Sequence, residues 1–181
     1  MKKNGLIIAA LCVFCLLLSY GFDYMKPVQI SLQQEAIEQA DKQIPSFSLD
    51  TLGGASFESD SLKGEVALIH FWATWCPPCI VELPSLIKFA KEYPQIQVIA
   101  ISTDFSTDVI ERFLQERIKE TLPDNFIILA DTNGGVTKGV FDVFRLPETI
   151  VVSPEQEQVH WYRGDVDWSD QAIRSQVLSV K

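Results

Sequence analysis

The sequence predicts an α/β fold with a mixed sheet covered on both faces. Three observations carry this prediction. Val66–Trp72 and Ile96–Ser102 are continuous apolar runs with β-branched and aromatic members, as strands buried on both faces require. Between them Ile80, Leu83, Ile87 and Ala90 recur at helical spacing. Towards the C-terminus two short β-type runs, joined by a proline-containing turn and followed by a helical stripe, add a hairpin to an otherwise alternating β-α order.

A chain of 181 residues suits one domain with an appendage. Hydrophobic residues make up 47% and charged residues 22%, a globular composition. The net charge of −9 offers no basic stripe to neutralise phosphates, which argues against a nucleic-acid partner.

The appendage comes first. Lys2 and Lys3 precede an uncharged run from Gly5 to Phe22, and the first acidic residue is Asp23. Residues 1–22 read as a signal anchor or a signal peptide. The apolar part, Leu6 to Leu18, has signal-peptide length, while the whole uncharged stretch approaches the roughly 18 residues of a minimal spanning helix. Ser19 and Gly21 make a poor cleavage site, which favours an uncleaved anchor. Lys2 and Lys3 would keep the N-terminus cytoplasmic and place the remainder outside. Cys12 and Cys15 lie within the apolar run, preceded by Leu11 and Phe14 rather than by the small residue a lipoprotein signal wants, and read as lipid-facing small side chains.

Residues 23–43 are polar and Gln-rich with a weak helical stripe, a linker or stalk. The globular domain is expected over 44–181. Phe47, Leu49 and Phe57 flank Gly53-Gly54 as a small hairpin, and Ser59–Lys63 is a turn into the central strand. The next helix holds Pro84, which lacks the N–H that would bond Ile80 and should kink it. Ser106 is positioned to cap a helix whose face is Ile110, Phe113, Leu114 and Ile118. Phe126–Ala130 is a third strand and Asp131–Gly135 a turn. Val136, Val140, Phe141 and Phe144 mark a further helix. Thr149–Ser153 and Gln158–Tyr162 form the late hairpin. Asp167, with Asp170 three residues on, is placed to cap a last helix packed through Ile173 and Val177.

The chemistry sits at Trp75-Cys76-Pro77-Pro78-Cys79, where the first strand hands over to a helix. A thiolate at a helix N-terminus is stabilised by the helix dipole and by free backbone N–H groups, so Cys76 is the candidate attacking thiol and Cys79 the resolving one. With Cys76 as N-cap, Pro77 and Pro78 have no N–H to offer its sulfur, and the Cys79 N–H remains. That predicts a more reducing couple than the strongly oxidising type. Glu82, three residues beyond Cys79, shares its helix face and is either a proton carrier for the Cys79 thiol or a solvent-facing carboxylate near the helix start. A structural zinc site would need a second ligand pair, and haem attachment needs a histidine where Ile80 stands. His70 and His160 read as packing residues, and no cofactor or metal is called for.

These residues resemble the thioredoxin-like TlpA/ResA/CcmG (DsbE) family of membrane-anchored extracytoplasmic thiol-disulfide oxidoreductases. The resemblance runs from about Ile44 to the C-terminus and rests on Phe-Trp-Ala-Thr-Trp-Cys-Pro-Pro-Cys at 71–79, on Glu82 and Pro84, and on Leu-Pro-Glu-Thr at 146–149. It implies a thioredoxin-like fold with an N-terminal hairpin and a central insertion, Asp104–Gly135. It also implies a cis-proline at Pro147 facing the disulfide, with Leu146 offering backbone groups to an extended substrate. Trp75, beside the attacking thiol, is a further candidate substrate contact. The acidic residue at Glu82 is shared with the family, and Glu148 resembles the Pro-Glu-Thr of the CcmG branch, where it would add to an acidic rim. The family role implies protein substrates with a reducible cysteine pair, such as the haem-site cysteines of apocytochrome c, in cytochrome c maturation. Electrons would come from a membrane donor of DsbD/CcdA type, with the catalytic domain on the periplasmic side of the membrane or, after cleavage, soluble there.

Two other functions compete. A general oxidant of secreted thiols is disfavoured by Pro78. A copper(I) carrier for respiratory oxidase assembly would use the same two soft thiolates, but the domain has no Met-rich or His-rich stretch to help. A peroxidase is weaker still, because Ala73 stands where a peroxiredoxin-type site wants threonine.

Overall fold

The central strand Val66–Trp72 is buried along its length apart from its first residue, so it needs an apolar side chain on both faces of the sheet. A computed structural model describes residues 42–119 and 121–181. The expected membrane segment 1–22 and nearly all of the linker 23–43 lie outside the described residues. Among the described residues no helix is long and apolar enough to cross a membrane. Gln43–Lys181 forms one compact unit.

Among the described residues seven strands form one sheet: β1 Ser48–Thr51, β2 Ser56–Glu58, β3 Val66–Trp72, β4 Ile96–Ser102, β5 Phe126–Ala130, β6 Glu148–Val152 and β7 Gln158–Arg163. Their order across the sheet is β2-β1-β5-β4-β3-β6-β7. β3, β4 and β5 run parallel, while β6 and β7 on one side and β1 and β2 on the other are antiparallel. The fold is thus a thioredoxin-like α/β fold with a mixed sheet. The helices are α1 Pro77–Glu92, α2 Thr107–Phe113 and α3 Gln171–Leu178. The expected insertion Asp104–Gly135 contributes α2 and then β5, which enters the sheet between β4 and β1.

Strand alternation divides β3 between two cores. Leu68 and Trp72 pack with Cys79, Leu83, Leu86 and Ile87 of α1, with Ile110 and Phe113 of α2, and with Val177 of α3. Ala67, Ile69 and Phe71 face Phe47, Phe57, Phe141 and Val143. These three helices therefore cover one face, and the 131–145 segment covers the other, with Phe47 and Phe57 on the same side. α1 continues through Pro84 to Glu92, because its apolar stripe is anchored on both sides of the proline.

Three expectations need correction. Residues 136–141 form successive turns rather than a helix and 142–144 are irregular, with bonds from Lys138 N to Gly134 O (3.0 Å), from Val140 N and Phe141 N to Val136 O (3.0 and 3.1 Å), and from Val143 N to Thr137 O (2.9 Å). The Asp131 carboxylate takes the N–H groups of Val136 and Thr137, and a Cβ on Gly139 would lie 2.5 Å from the Gly135 carbonyl oxygen. That local bonding and close backbone approach override the apolar spacing. Val136 and Phe141 are buried by it, but Phe144 is left exposed. The helix expected over this stretch changes its winding, since α2 ends at Phe113 and a π-helical turn, Leu114–Ile118, follows, although Ile110, Phe113, Leu114 and Ile118 still pack on one core. Ser106 does cap α2, accepting from Asp108 N. At the last helix the cap is Asp170, accepting from Ala172 N at 2.7 Å, whereas Asp167 turns back on Ser169.

Candidate active site

Cys76 is the N-cap of α1 and forms a disulfide with Cys79, one turn inside the helix. The apolar end of β3 delivers Cys76 to that place, and Ile80 N donating to Cys76 O at 3.1 Å starts the helix. Cys79 N donates to Cys76 Sγ at 3.4 Å; Pro77 and Pro78 have no N–H to add. The loop before Cys76 is held from β4. Buried Asp104 accepts from Thr74 N (2.9 Å), Thr74 Oγ1 (2.7 Å) and Ser102 Oγ (2.7 Å). Sequence reasoning missed Asp104, whose partner Thr74 lies thirty positions away and leaves no local signal.

Glu82 is buried beneath the disulfide end of α1 and does not face solvent. Trp168 Nε1 donates to its Oε1 at 2.7 Å, and among the described residues its Oε2 has no side-chain hydrogen-bond partner. Burial pushes the carboxyl up to about 7, and the Asp165 charge adds to this, against the hydrogen bonds from Trp168 and the Val166 backbone. Trp168 was also missed, since its packing against α1 depends on how the last loop folds over the helix.

His70 does more than pack. Even-numbered residues of β3 face α1, so His70 sits between Leu68 and Trp72, with Nδ1 2.9 Å from Thr149 Oγ1 and 3.9 Å from Glu82 Oε1. Burial pushes the imidazole down to about 3, which keeps it neutral. Strand parity was the signal that could have found it.

The Leu146–Pro147 peptide bond is cis and leads directly into β6. Leu146 and Trp75 line a common cleft of about 210 Å³ with Phe105, Phe144 and Lys138. Trp75, Phe105 and Phe144 are 60%, 86% and 72% exposed, an unusual apolar concentration beside the disulfide. Glu148 is not part of that cleft, nor of an acidic rim. It is buried at the start of β6, where Trp161 Nε1 donates to Oε2 at 2.6 Å and Arg163 Nε lies 3.7 Å away. A second cleft of about 180 Å³ opens on Glu82 between Val81, Ser85, Asp165 and Asp167, and shares no lining residue with the first. Among the described residues no group of three or more His, Cys, Asp or Glu side chains converges as a metal site.

Two cysteines at a helix N-terminus, a buried carboxyl that exchanges its proton near neutrality, and an apolar cleft beside them are the parts of a thiol-disulfide exchange site. Comparison with known proteins agrees. Residues 40–160, well over half of the chain, match the AhpC/TSA family model. The thioredoxin-like protein YneN of Bacillus subtilis is 29% identical over 76% of this chain and 79% of its own. The thiol-disulfide oxidoreductase ResA of the same organism is 27% identical over 90% of this chain and 87% of its own. Among solved structures, a secreted Mycobacterium tuberculosis disulfide oxidoreductase homologous to E. coli DsbE superposes with a TM-score of 0.62 at 25% identity. That match covers 74% of this chain and 96% of that one. The chain belongs to the AhpC/TSA family, as a thioredoxin-like thiol-disulfide oxidoreductase of the ResA and DsbE kind.

Proposed function

We propose that the chain is a reductant of specific protein disulfides on the outer side of the cytoplasmic membrane, held there by residues 1–22. The observation that carries the direction of electron flow is the pair of prolines after Cys76, which leaves the Cys79 N–H, at 3.4 Å, as the donor to its sulfur. A thiolate with few donors keeps a higher pKa, and the dithiol is then a stronger reductant.

In the proposed reaction the Cys76 thiolate attacks a client disulfide, forming a mixed disulfide and expelling one client thiolate. The Cys79 thiol passes its proton to the Glu82 carboxylate, and the Cys79 thiolate attacks Cys76 sulfur. The second client thiolate leaves, Cys76–Cys79 closes, and two electrons have moved to the client. Trp75 and Leu146 seat the client in their cleft, and Pro147 presents the strand edge beside it. Glu148 holds Trp161 and Arg163 against β6 and supports that edge without touching the client.

The clients that fit are haem-site cysteines of apocytochrome c, and electrons return through a membrane donor of DsbD/CcdA type. The family resemblance supports both, and the secreted disulfide oxidoreductase among the similar structures supports the location. Trapping tests the reading. Cys79→Ser should freeze mixed disulfides on Cys76, and apocytochrome c among the captured partners is the expected result. Capture of miscellaneous secreted proteins, or a reduction potential above about −180 mV, would instead make the protein a general oxidant.

A further inference from the structure

His70 is a basic side chain sealed between the central strand and the helix that bears the cysteines, and the exchange reaction as written gives it nothing to do. Its surroundings do. Thr149 Oγ1 lies 2.9 Å from Nδ1, Glu82 Oε1 lies 3.9 Å from the same nitrogen, and among the described residues Nε2 has no hydrogen-bond partner. Thr149 is the direct cross-strand neighbour of His70 and stands two residues after Pro147. The contacts therefore run from the strand that follows the cis-proline, through the imidazole, to the carboxyl, and on to Trp168.

The tautomer follows from these distances. A bare Nδ1 would accept from the Thr149 hydroxyl but leave Nε2–H as a buried donor without an acceptor. With the proton on Nδ1, the donor lies between Thr149 Oγ1 and Glu82 Oε1, and what remains unpaired is an acceptor, the less costly orphan. Oε1 already accepts from Trp168, so the carboxylic acid carries its proton on Oε2, the atom with no side-chain partner among the described residues.

We infer that His70 is a positioning residue for thiol exchange: its Nδ1–H, steadied by Thr149, faces the Glu82 carboxyl and sets how readily that group gives up and takes back a proton. The other groups facing Glu82 are the Trp168 indole, the Val166 backbone, and Asp165 and Asp167 across the second cleft. The Asp165 charge raises the cost of a carboxylate. The Trp168 indole and the Val166 backbone lower it, and His70, the group we add to them, is in turn tied to the strand that follows the cis-proline. The inference rests on Glu82 being the proton carrier for Cys79.

The test follows the Glu82 carboxyl by carbon-13 NMR titration of the oxidised full-length protein. In parallel it follows the pH profile of mixed-disulfide resolution by Cys79. In the wild type the carboxyl midpoint should lie at about 7. His70→Leu removes the N–H and should raise the midpoint by about one pH unit, and the resolution profile should move with it. His70→Gln, which keeps a donor, should return much of the shift, and Thr149→Val, which releases the imidazole, should give a smaller shift in the same direction. A midpoint unmoved or lowered in His70→Leu overturns the inference. Should that variant fail to fold, an unmoved midpoint in Thr149→Val does so instead. A midpoint that moves while the resolution profile stays in place overturns the proton-carrier reading of Glu82 and leaves the coupling of His70 to Glu82 standing.

Discussion

Trp168 Nε1 donates to Glu82 Oε1 at 2.7 Å, tying the loop before the last helix to the helix that carries both cysteines. The bond satisfies one oxygen of a buried carboxyl that lies at the wall of the second cleft. Trp168→Phe removes the donor and part of the ring. It should destabilise the protein by about 2–4 kcal/mol in urea unfolding and move the Glu82 titration further above its present midpoint. A carboxyl midpoint that falls would contradict the role assigned to the indole.

Glu82 and His70 pull the pH dependence of stability in opposite directions. Glu82 rises from its ordinary 4.5 to about 7 on folding, so between those values the folded chain keeps a proton that the unfolded chain has lost, and stability falls as pH rises. His70 drops from 6.5 to about 3, so between those values the unfolded chain holds a proton that the folded chain refuses, and stability climbs as pH rises. The windows overlap between 4.5 and 6.5, where the two slopes oppose each other. Across that overlap His70→Leu should unmask a fall, and Glu82→Gln a rise, of roughly 3 kcal/mol each relative to wild type. Urea unfolding of the oxidised protein at a series of pH values checks both signs.

Pro78→Ala restores an N–H at the second helical position. A hydrogen bond to a charged sulfur contributes about 1.5 kcal/mol, so the Cys76 thiol pKa should fall by about one unit and the reduction potential should rise by about 30 mV. Thiolate absorbance against pH and equilibration with glutathione measure the two quantities, and they should move together. A lowered pKa with an unchanged potential would break the link between donor count and redox direction.

Asp104 should matter to the cysteines without touching them. Asp104→Ala strips Thr74 of two hydrogen bonds in a buried corner, at a cost of about 2–4 kcal/mol. Asp104→Asn keeps an acceptor and should cost less. Both are read by denaturant unfolding, and equal losses in the two variants would show that charge rather than bonding holds the loop.

Legibility in the sequence followed locality. β3 and β4 showed themselves because a strand buried on both faces must be predominantly apolar, and Cys76 and Cys79 because their chemistry is fixed by a three-residue spacing. The 136–144 segment misled because Asp131 and the Gly135–Gly139 approach act through backbone groups, to which an apolar period is blind. Glu82 was placed on the correct helix face, but its depth depends on Trp168, which reaches it across 86 positions. The burial of Glu148 likewise depends on Trp161 and Arg163 on the neighbouring strand, so an isolated Pro-Glu-Thr reads equally well as a rim.

The two clefts that flank the disulfide end of α1 share no lining residue. On the proposed reading, a client lying over Trp75 and Leu146 closes one mouth while Glu82 keeps its own opening between Ser85 and Asp165. Electron traffic and proton traffic then use separate doors. A tightly held client need not loosen its grip for the proton released during the second thiol attack to reach bulk water, so strong binding and rapid resolution are compatible in the same protein.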